Sequence, residues 1–434
     1  MKISVIGTGY LGATHAACLA SYGHDVVALD VDESRVRTLA AGHVPFHEPG
    51  LDELVVDGLR TGRLRPTSDP AAIGDAEIHF LCVGTPQVPG GRGADLTALD
   101  GAAATVARAA RQPCLVVGRS TVPVGTADAL AARMETEAAV PVSLAWNPEF
   151  LREGRAVEDS LRPDRLVLGV ADDAAYVTLS AVYAPVVAAG VQVIRTDRRT
   201  AELAKTSANV MLASRISVVN VLSEMCERAG ADIGDLVRVL GSDPRIGPDV
   251  LQPGLGFGGS CLPKDTRAFV AQGRELGVES VALIHEVDMV NMRQRARAID
   301  AVRRAWGSRR RVAVLGAAFK QGSDDVRDSP ALDVARTLHH LGATVMVHDP
   351  LAAEAARRAA PELGYADDVE SAVRDADVVA VLTPWEEYTG LDPVSLYDLA
   401  ASPSVVDARG CLDADKWTAA GWRFHGLGRS SCAS

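Results

Sequence analysis

Aromatic residues are scarce in this 434-residue chain, with Phe, Trp and Tyr together making 4% of it. Its cores must therefore be built from aliphatic side chains, and abundant Ala and Gly suit helices packed closely on sheets. The seven cysteines (Cys18, Cys82, Cys114, Cys226, Cys261, Cys411 and Cys432) include no CxxC pair. That pattern argues against a disulfide framework or a zinc site and points to reduced thiols, with no bound metal expected. No run of about 18 apolar residues exists to span a bilayer. Basic residues are outnumbered, 44 Lys and Arg against 56 Asp and Glu, for a formal net charge of -12. A nucleic-acid binder usually carries a basic face, so that class is disfavoured. An anionic small molecule is not, because screening beyond about 8 Å leaves local cations to dominate a site. The N-terminus passes straight into a strand candidate, so no secretory leader is expected. Together these absences describe a cytoplasmic protein with no membrane or nucleic-acid partner.

What is present is globular. Hydrophobic residues make 47% and charged residues 23% of the chain, and its length suits two or three domains. Short apolar runs at Lys2–Ile6, Asp25–Leu29, Ile78–Val83, Cys114–Gly118, Val142–Ala145 and Leu166–Val170 alternate with helix-favouring segments. That grammar predicts an α/β fold with a doubly wound parallel sheet. From Thr200 to Ala229 no Gly or Pro intervenes, which predicts one helix of about 45 Å at 1.5 Å per residue. Apolar residues sit nearly all round it, so it is expected to be buried between domains or subunits. Helical material continues through Asp235–Leu240 and again from Thr266 to about Arg304. A second αβ series follows the junction at Trp306–Arg309, with strand candidates Val312–Leu315, Thr344–His348, Val378–Leu382 and Val405–Val406. Residues Gly428–Ser434 are expected to fray.

The stretch Pro253–Asp265 sets Cys261 behind a run of glycines and just ahead of Lys264 and Asp265. Glycine lets backbone approach a ligand, a nearby cation favours the thiolate, and a carboxylate can move a proton. A buried cysteine in an ordinary turn would look the same. Gly7, Gly9 and Gly12 form a GxGxxG between a strand and a helix, and Asp30 closes the next strand. This arrangement suits a dinucleotide pyrophosphate, with Asp30 on the ribose hydroxyls favouring NAD over NADP. Gly254, Gly256 and Gly259 match the same pattern, but no strand precedes them.

Val83–Pro86 and Ser120–Gly125 each end a strand candidate, which makes Thr85 and Thr121 candidates for the nicotinamide end. Asn147–Gly154 carries Glu149 and Glu153 four apart, suited either to activating water or to a solvated helix start. Lys205 and Asn209 share one face of the long helix, where they can bond a sugar hydroxyl or a developing oxyanion. Lys320 and Arg327 lie on a strand-end loop that suits a phosphorylated ligand.

The motifs GTGYLG, VGTP, STVPVGT, NPEFLREG, AELAKTSAN, FGGSCLPKD and FKQGSDDVRDSP occur in one order along essentially the whole chain. In that order the chain resembles the UDP-glucose/GDP-mannose dehydrogenase family. Asp243–Gly247 is more similar to its UDP-glucose branch. The resemblance implies two Rossmann-like domains joined by a long helix. An NAD-binding domain would occupy residues 1–198, and a central helical dimerisation domain with the Cys loop 199–305. A nucleotide-sugar (UDP) domain would occupy 306–434, in a homodimer formed through the central domain.

The family resemblance also implies a four-electron oxidation of a sugar C6 alcohol to a carboxylate with two NAD. Cys261 would be the nucleophile, passing through a thiohemiacetal and a thioester. Lys205 would stabilise oxyanions, Asn209 would help hold the sugar, Asp265 would act in proton transfer, and Glu149 and Thr121 would place or activate water. NAD would meet Gly7, Gly9, Tyr10, Leu11, Gly12, Asp30, Arg35, Thr85, Thr121, Glu153, Lys264 and Arg327. The nucleotide sugar would meet Glu149, Phe150, Leu151, Arg152, Glu153, Lys205, Asn209, Arg245, Val250, Leu251, Gln252, Pro253, Gly254, Phe257, Gly258, Lys320 and Arg409.

Several positions depart from the family pattern. Thr206 and Ser207 follow Lys205 where tyrosine and alanine are usual, Val221 follows Asn220 where glutamate is usual, Arg35 stands where lysine is common, and Leu11 replaces valine. Each proposed chemical group nonetheless remains. UDP-glucose is the expected substrate, with TDP-glucose, GDP-mannose or another nucleotide hexose as alternatives. A two-electron hydroxyacid-type dehydrogenase and a non-catalytic NAD-binding protein are the other classes, and Cys261 argues against both.

Overall fold

Strand β1 (Lys2–Ile6) opens a largely parallel sheet whose central strands are buried on both faces and mostly apolar. Such runs are what a sheet covered on both sides requires. The computed structural model describes residues 1–428, in two units, one of Met1–Ala208 and one from Asn209 onward. The first unit continues with β2 (Asp25–Leu29), β3 (Leu64–Thr67), β4 (Ile78–Leu81), β5 (Cys114–Gly118), β6 (Val142–Trp146), β7 (Arg165–Gly169) and β8 (Gln192–Thr196). Their order in the sheet is β3-β2-β1-β4-β5-β6-β7-β8. The chain order reverses between β1 and β4, and ligands of open α/β sheets bind at the strand ends of such a switch point. One junction is not parallel: β6 meets β7 antiparallel through the single pair Trp146 and Gly169.

The second unit carries a six-stranded, wholly parallel sheet. Its strands are β9 (Arg311–Leu315), β10 (Thr344–His348), β11 (Gly364–Tyr365), β12 (Val378–Val381), β13 (Ser404–Asp407) and β14 (Arg423–Gly426), in the order β11-β10-β9-β12-β13-β14. Leu255, at 0% exposure, joins its core with Val302, Val314 and Ala331, so the glycine-rich loop is anchored in this unit.

Four strands escaped the hydrophobic pattern, and all four are sheet edges: β3, β8, β11 and β14. Edge strands are half solvated and need no continuous apolar run. The helix expected over Thr266–Arg304 is two helices, Leu262–Glu275 and Ala282–Ala305. Gly277, with φ +73°, ends the first, as a left-handed glycine commonly does. Pro263 lies in the first turn of that helix, where its missing N–H costs nothing.

The long helix runs Arg198–Ala229, close to its expected bounds. Its burial is not all-round within one chain. Met211, Val218 and Met225, spaced by seven, are 70%, 56% and 62% exposed. The opposite side carries Ala213, Ser217, Asn220 and Ser223, all buried. Of the terminal segment expected to fray, Gly428 is described and its N–H donates to Glu227; residues 429–434 lie outside the described residues.

Candidate active site

Beyond β1 the chain makes a turn that only glycines can form. Gly7 has φ +90°, and a Cβ on Gly12 would sit 1.7 Å from Gly7 O. Around Gly9 nothing lies within 4 Å of a Cβ position. Gly9 is also the N-cap of the Tyr10–Ser21 helix and brings no side chain to cap it. Open space beside unspent helix N–H groups is what a pyrophosphate needs. Asp30, 5% exposed, ends β2. It accepts from Thr8 N at 2.6 Å, Thr8 Oγ1 at 2.9 Å and Asp32 N at 2.9 Å. Burial pushes its pKa up, but these donors and Arg35, 3.8 Å away, outweigh burial and hold it below the ordinary value. A charged Asp30 keeps lone pairs for ribose hydroxyls. The residues present therefore fit NAD.

Tyr10 is tied down instead of free: its hydroxyl donates to Glu48 and accepts from Gly154 N at 2.9 Å. Thr85 Oγ1 donates to Thr121 O at 2.6 Å, joining the loops after β4 and β5. The loop after β6 delivers Glu149 to Lys205, with Nζ 2.8 Å from Oε1 and both side chains nearly buried. Leu151 N donates to the other oxygen at 2.6 Å. Burial raises the Glu149 pKa, but Lys205 first, then Leu151 N and Arg119, bring it below the usual carboxylate value. Phe150 lies beneath Arg165, 4.0 Å from its ring centroid. Arg152 is engaged with Asp159 at 2.5 Å on the surface, which braces this loop.

In the second unit, Cys261 is the N-cap of the 14-residue Leu262–Glu275 helix, beside the positive end of its macrodipole. Its sulfur is 3.5 Å from Ser260 Oγ. Asp265, 2% exposed, accepts from Asn209 Nδ2 at 2.6 Å and Lys264 Nζ at 2.5 Å. Burial pushes the Cys18 and Cys82 thiols up to about 12 and Cys114 up to about 11. Burial followed by the Asp407 charge pushes Cys411 up to about 12. Arg409 donates to Leu382 O at 2.7 Å and Gly256 O at 3.1 Å, and burial lowers its pKa to about 10. Val250 holds φ +58°, unusual for a β-branched residue.

Lys320 lies 5.6 Å from the Phe319 ring centroid. Arg327 pairs with Asp325 at 2.7 Å and Arg245 with Asp243 at 2.6 Å, and both arginine side chains are well exposed. The structure thus brings together Glu149 with Lys205, Thr85 with Thr121, Asn209 with Asp265 and Lys264, and Arg409 with the glycine loop. Sequence reasoning passed over Glu202, which accepts from Gly125 N at 2.7 Å and Ala127 N at 2.6 Å. Burial pushes its pKa up to about 7 despite those donors. The only signal was an acid one helical turn before Lys205.

Three family models match the chain. They describe the NAD binding domain (residues 1–187), central domain (199–293) and UDP binding domain (313–414) of the UDP-glucose/GDP-mannose dehydrogenase family. A UDP-glucose 6-dehydrogenase of Rhizobium meliloti is 40% identical, over 99% of this chain and 100% of that protein. The UDP-glucose 6-dehydrogenase AglM of Haloferax volcanii is 42% identical over 94% of this chain and 96% of its own. A UDP-glucose dehydrogenase structure from Pyrobaculum islandicum superposes with a TM-score of 0.91 at 38% identity, covering 99% of this chain and 98% of that one.

The buried Lys205–Glu149 pair generates a pH test. A carboxylate with a depressed folded pKa adds stability above its unfolded pKa of about 4.3 and loses it as pH falls through the folded pKa. Lys205→Met leaves Glu149 buried without its main cation. We expect a loss of about 3–5 kcal/mol near neutral pH and partial recovery on acidification, read from denaturant midpoints across pH. An unchanged profile counts against the pairing.

Proposed function

This chain belongs to the UDP-glucose/GDP-mannose dehydrogenase family and is an NAD-dependent nucleotide-sugar dehydrogenase, and from that premise we propose that it oxidises UDP-glucose to UDP-glucuronate. The observation that carries a four-electron reaction is Cys261, half-buried at a helix N-terminus with Asp265 one turn further on. Alcohol to aldehyde needs only a hydride acceptor and a base. Aldehyde to acid is eased by a covalent adduct. Bound NAD supplies the hydride acceptor, two equivalents per sugar, on the Gly7–Gly12 turn with Asp30 at the ribose.

The Cys261 thiolate adds to the C6 carbonyl carbon, and the carbonyl electron pair moves to oxygen as a thiohemiacetal. Oxidation at C6 re-forms the carbonyl as a thioester. Water then attacks that carbon and the C–S bond breaks, giving the carboxylate, two protons and the Cys261 thiolate again. Lys205 stabilises the oxyanion with its fixed positive charge, and Asn209 helps hold the sugar. Glu149, kept ionised, and Thr121 place or activate water, and Asp265 moves protons. Glu153, Arg327 and Lys264 reach toward cofactor, while Arg245, Lys320, Arg409 and the Val250–Gly258 loop hold the nucleotide sugar.

UDP-glucose leads because the similar proteins carry that name. TDP-glucose is the near alternative, since its thymine differs from uracil by one methyl, which a pocket discriminates by only about 1–3 kcal/mol. We further propose the three-part division at residues 198 and 305, a cytoplasmic location, and a homodimer. The dimer is supported by the outward stripe of Met211, Val218 and Met225. A helix that turns methionine and valine outward and serine and asparagine inward lacks an apolar partner in one chain.

Across a panel of nucleotide sugars we expect two NADH per molecule, with UDP-glucose preferred; a yield of one sinks the thioester route. Cys261→Ser should abolish acid formation while NAD binding persists, and full turnover would remove the thiol from the reaction. Sedimentation should show a dimer at micromolar concentration that Met225→Glu shifts to monomer; a monomeric parent protein would refute the interface.

A further inference from the structure

We propose that Asn291 is a positioning residue for the Cys261 loop, setting where backbone and thiol meet the sugar. It stands in the middle of the Ala282–Ala305 helix and is 0% exposed. Its side-chain amide grips one backbone position from both sides. Phe257 N donates to Asn291 Oδ1 at 2.7 Å, and Asn291 Nδ2 donates to Phe257 O at 3.0 Å. A two-bond clamp fixes orientation as well as distance, which a single bond does not.

The loop is shaped to receive that amide. A Cβ on Gly256, φ +93°, would lie 2.1 Å from Asn291 Oδ1. Asn220 holds the loop's start, accepting from Gly254 N at 2.8 Å. The far side is walled by backbone: Gly259 N donates to Arg327 O at 3.0 Å, and a Cβ on Gly258 would meet Asp328 O at 2.3 Å. Asp328 is in turn held by the buried Arg295 at 2.8 Å. Phe257 itself packs with Ala213 and Val287. Cys261 lies four positions beyond Phe257, so a slip at Phe257 moves the thiol.

An apolar side chain of similar size would fill the same space, so volume alone does not require an amide there. A buried amide whose donor and acceptor are both spent on the backbone of one residue, across two successive peptide units, is directional. Misplacement of a reacting group by about 1 Å can cost about a hundredfold in rate. The inference rests on Cys261 as nucleophile, and the two readings separate by experiment.

Asn291→Leu keeps the volume and loses both bonds; Asn291→Asp keeps the acceptor and loses the donor. In either folded protein, NAD affinity should stay within about twofold while kcat falls about tenfold or more. The rate of Cys261 alkylation by iodoacetamide, read on its peptide by mass spectrometry, should change across its pH profile. The leucine variant should be the more affected; if it does not fold, the aspartate variant decides. A folded variant with kcat and alkylation profile both unchanged overturns the proposal. Full turnover by Cys261→Ser would instead overturn the nucleophile reading, leaving the alkylation arm to judge the clamp.

Discussion

Burial of polar groups along the Arg198–Ala229 helix is the constraint on which the candidate site depends. Glu202 takes amide donors from the loop after β5, and Lys205 meets Glu149. Asn209 reaches Asp265, Ser217 bonds Val287 O, and Asn220 receives Gly254 N. Each of these groups is expensive to bury without a partner. Within each unit, the element that supplies a partner is therefore held at hydrogen-bond distance from that unit's part of the helix. The chemistry-bearing residues are positioned by the same bonds that make their burial tolerable.

The two GxGxxG stretches show how one sequence pattern serves two physical ends. At Gly9 the missing side chain leaves open space beside a helix N-terminus, which invites a ligand. At Gly256, Gly258 and Gly259 the space is filled by Asn291, Asp328 O and the Phe319 ring. There glycine lets the protein's own groups close on the backbone, and the loop becomes a rigid support for Cys261. A preceding strand distinguishes the first case, since only it places the turn at a sheet switch point.

Much of the architecture was legible in the sequence. The central strands were readable because both faces are covered and their apolar runs are nearly continuous, unbroken in β5 and interrupted in β4 only by the buried His79. Edge strands β3, β8, β11 and β14 were not, because half-solvated strands carry mixed residues such as Arg423–Gly426. The break at Gly277 lay inside a helix-favouring stretch and depended on a positive φ. Asn291 was invisible, since an asparagine in a helix usually signals nothing and its partner lies 34 residues away.

By itself the sequence determined the order of strand, turn and helix, the glycines at the first turn, Asp30 at the next strand end, and the company Cys261 keeps with Lys264 and Asp265. These are local matters of periodicity, backbone freedom and spacing. Only tertiary structure decided that Glu149 pairs with Lys205, that Asp265 receives Asn209, that Asn291 clamps Phe257, and that Met211, Val218 and Met225 face outward. Those outcomes depend on which distant groups must satisfy one another once water is excluded, and no local pattern encodes that choice.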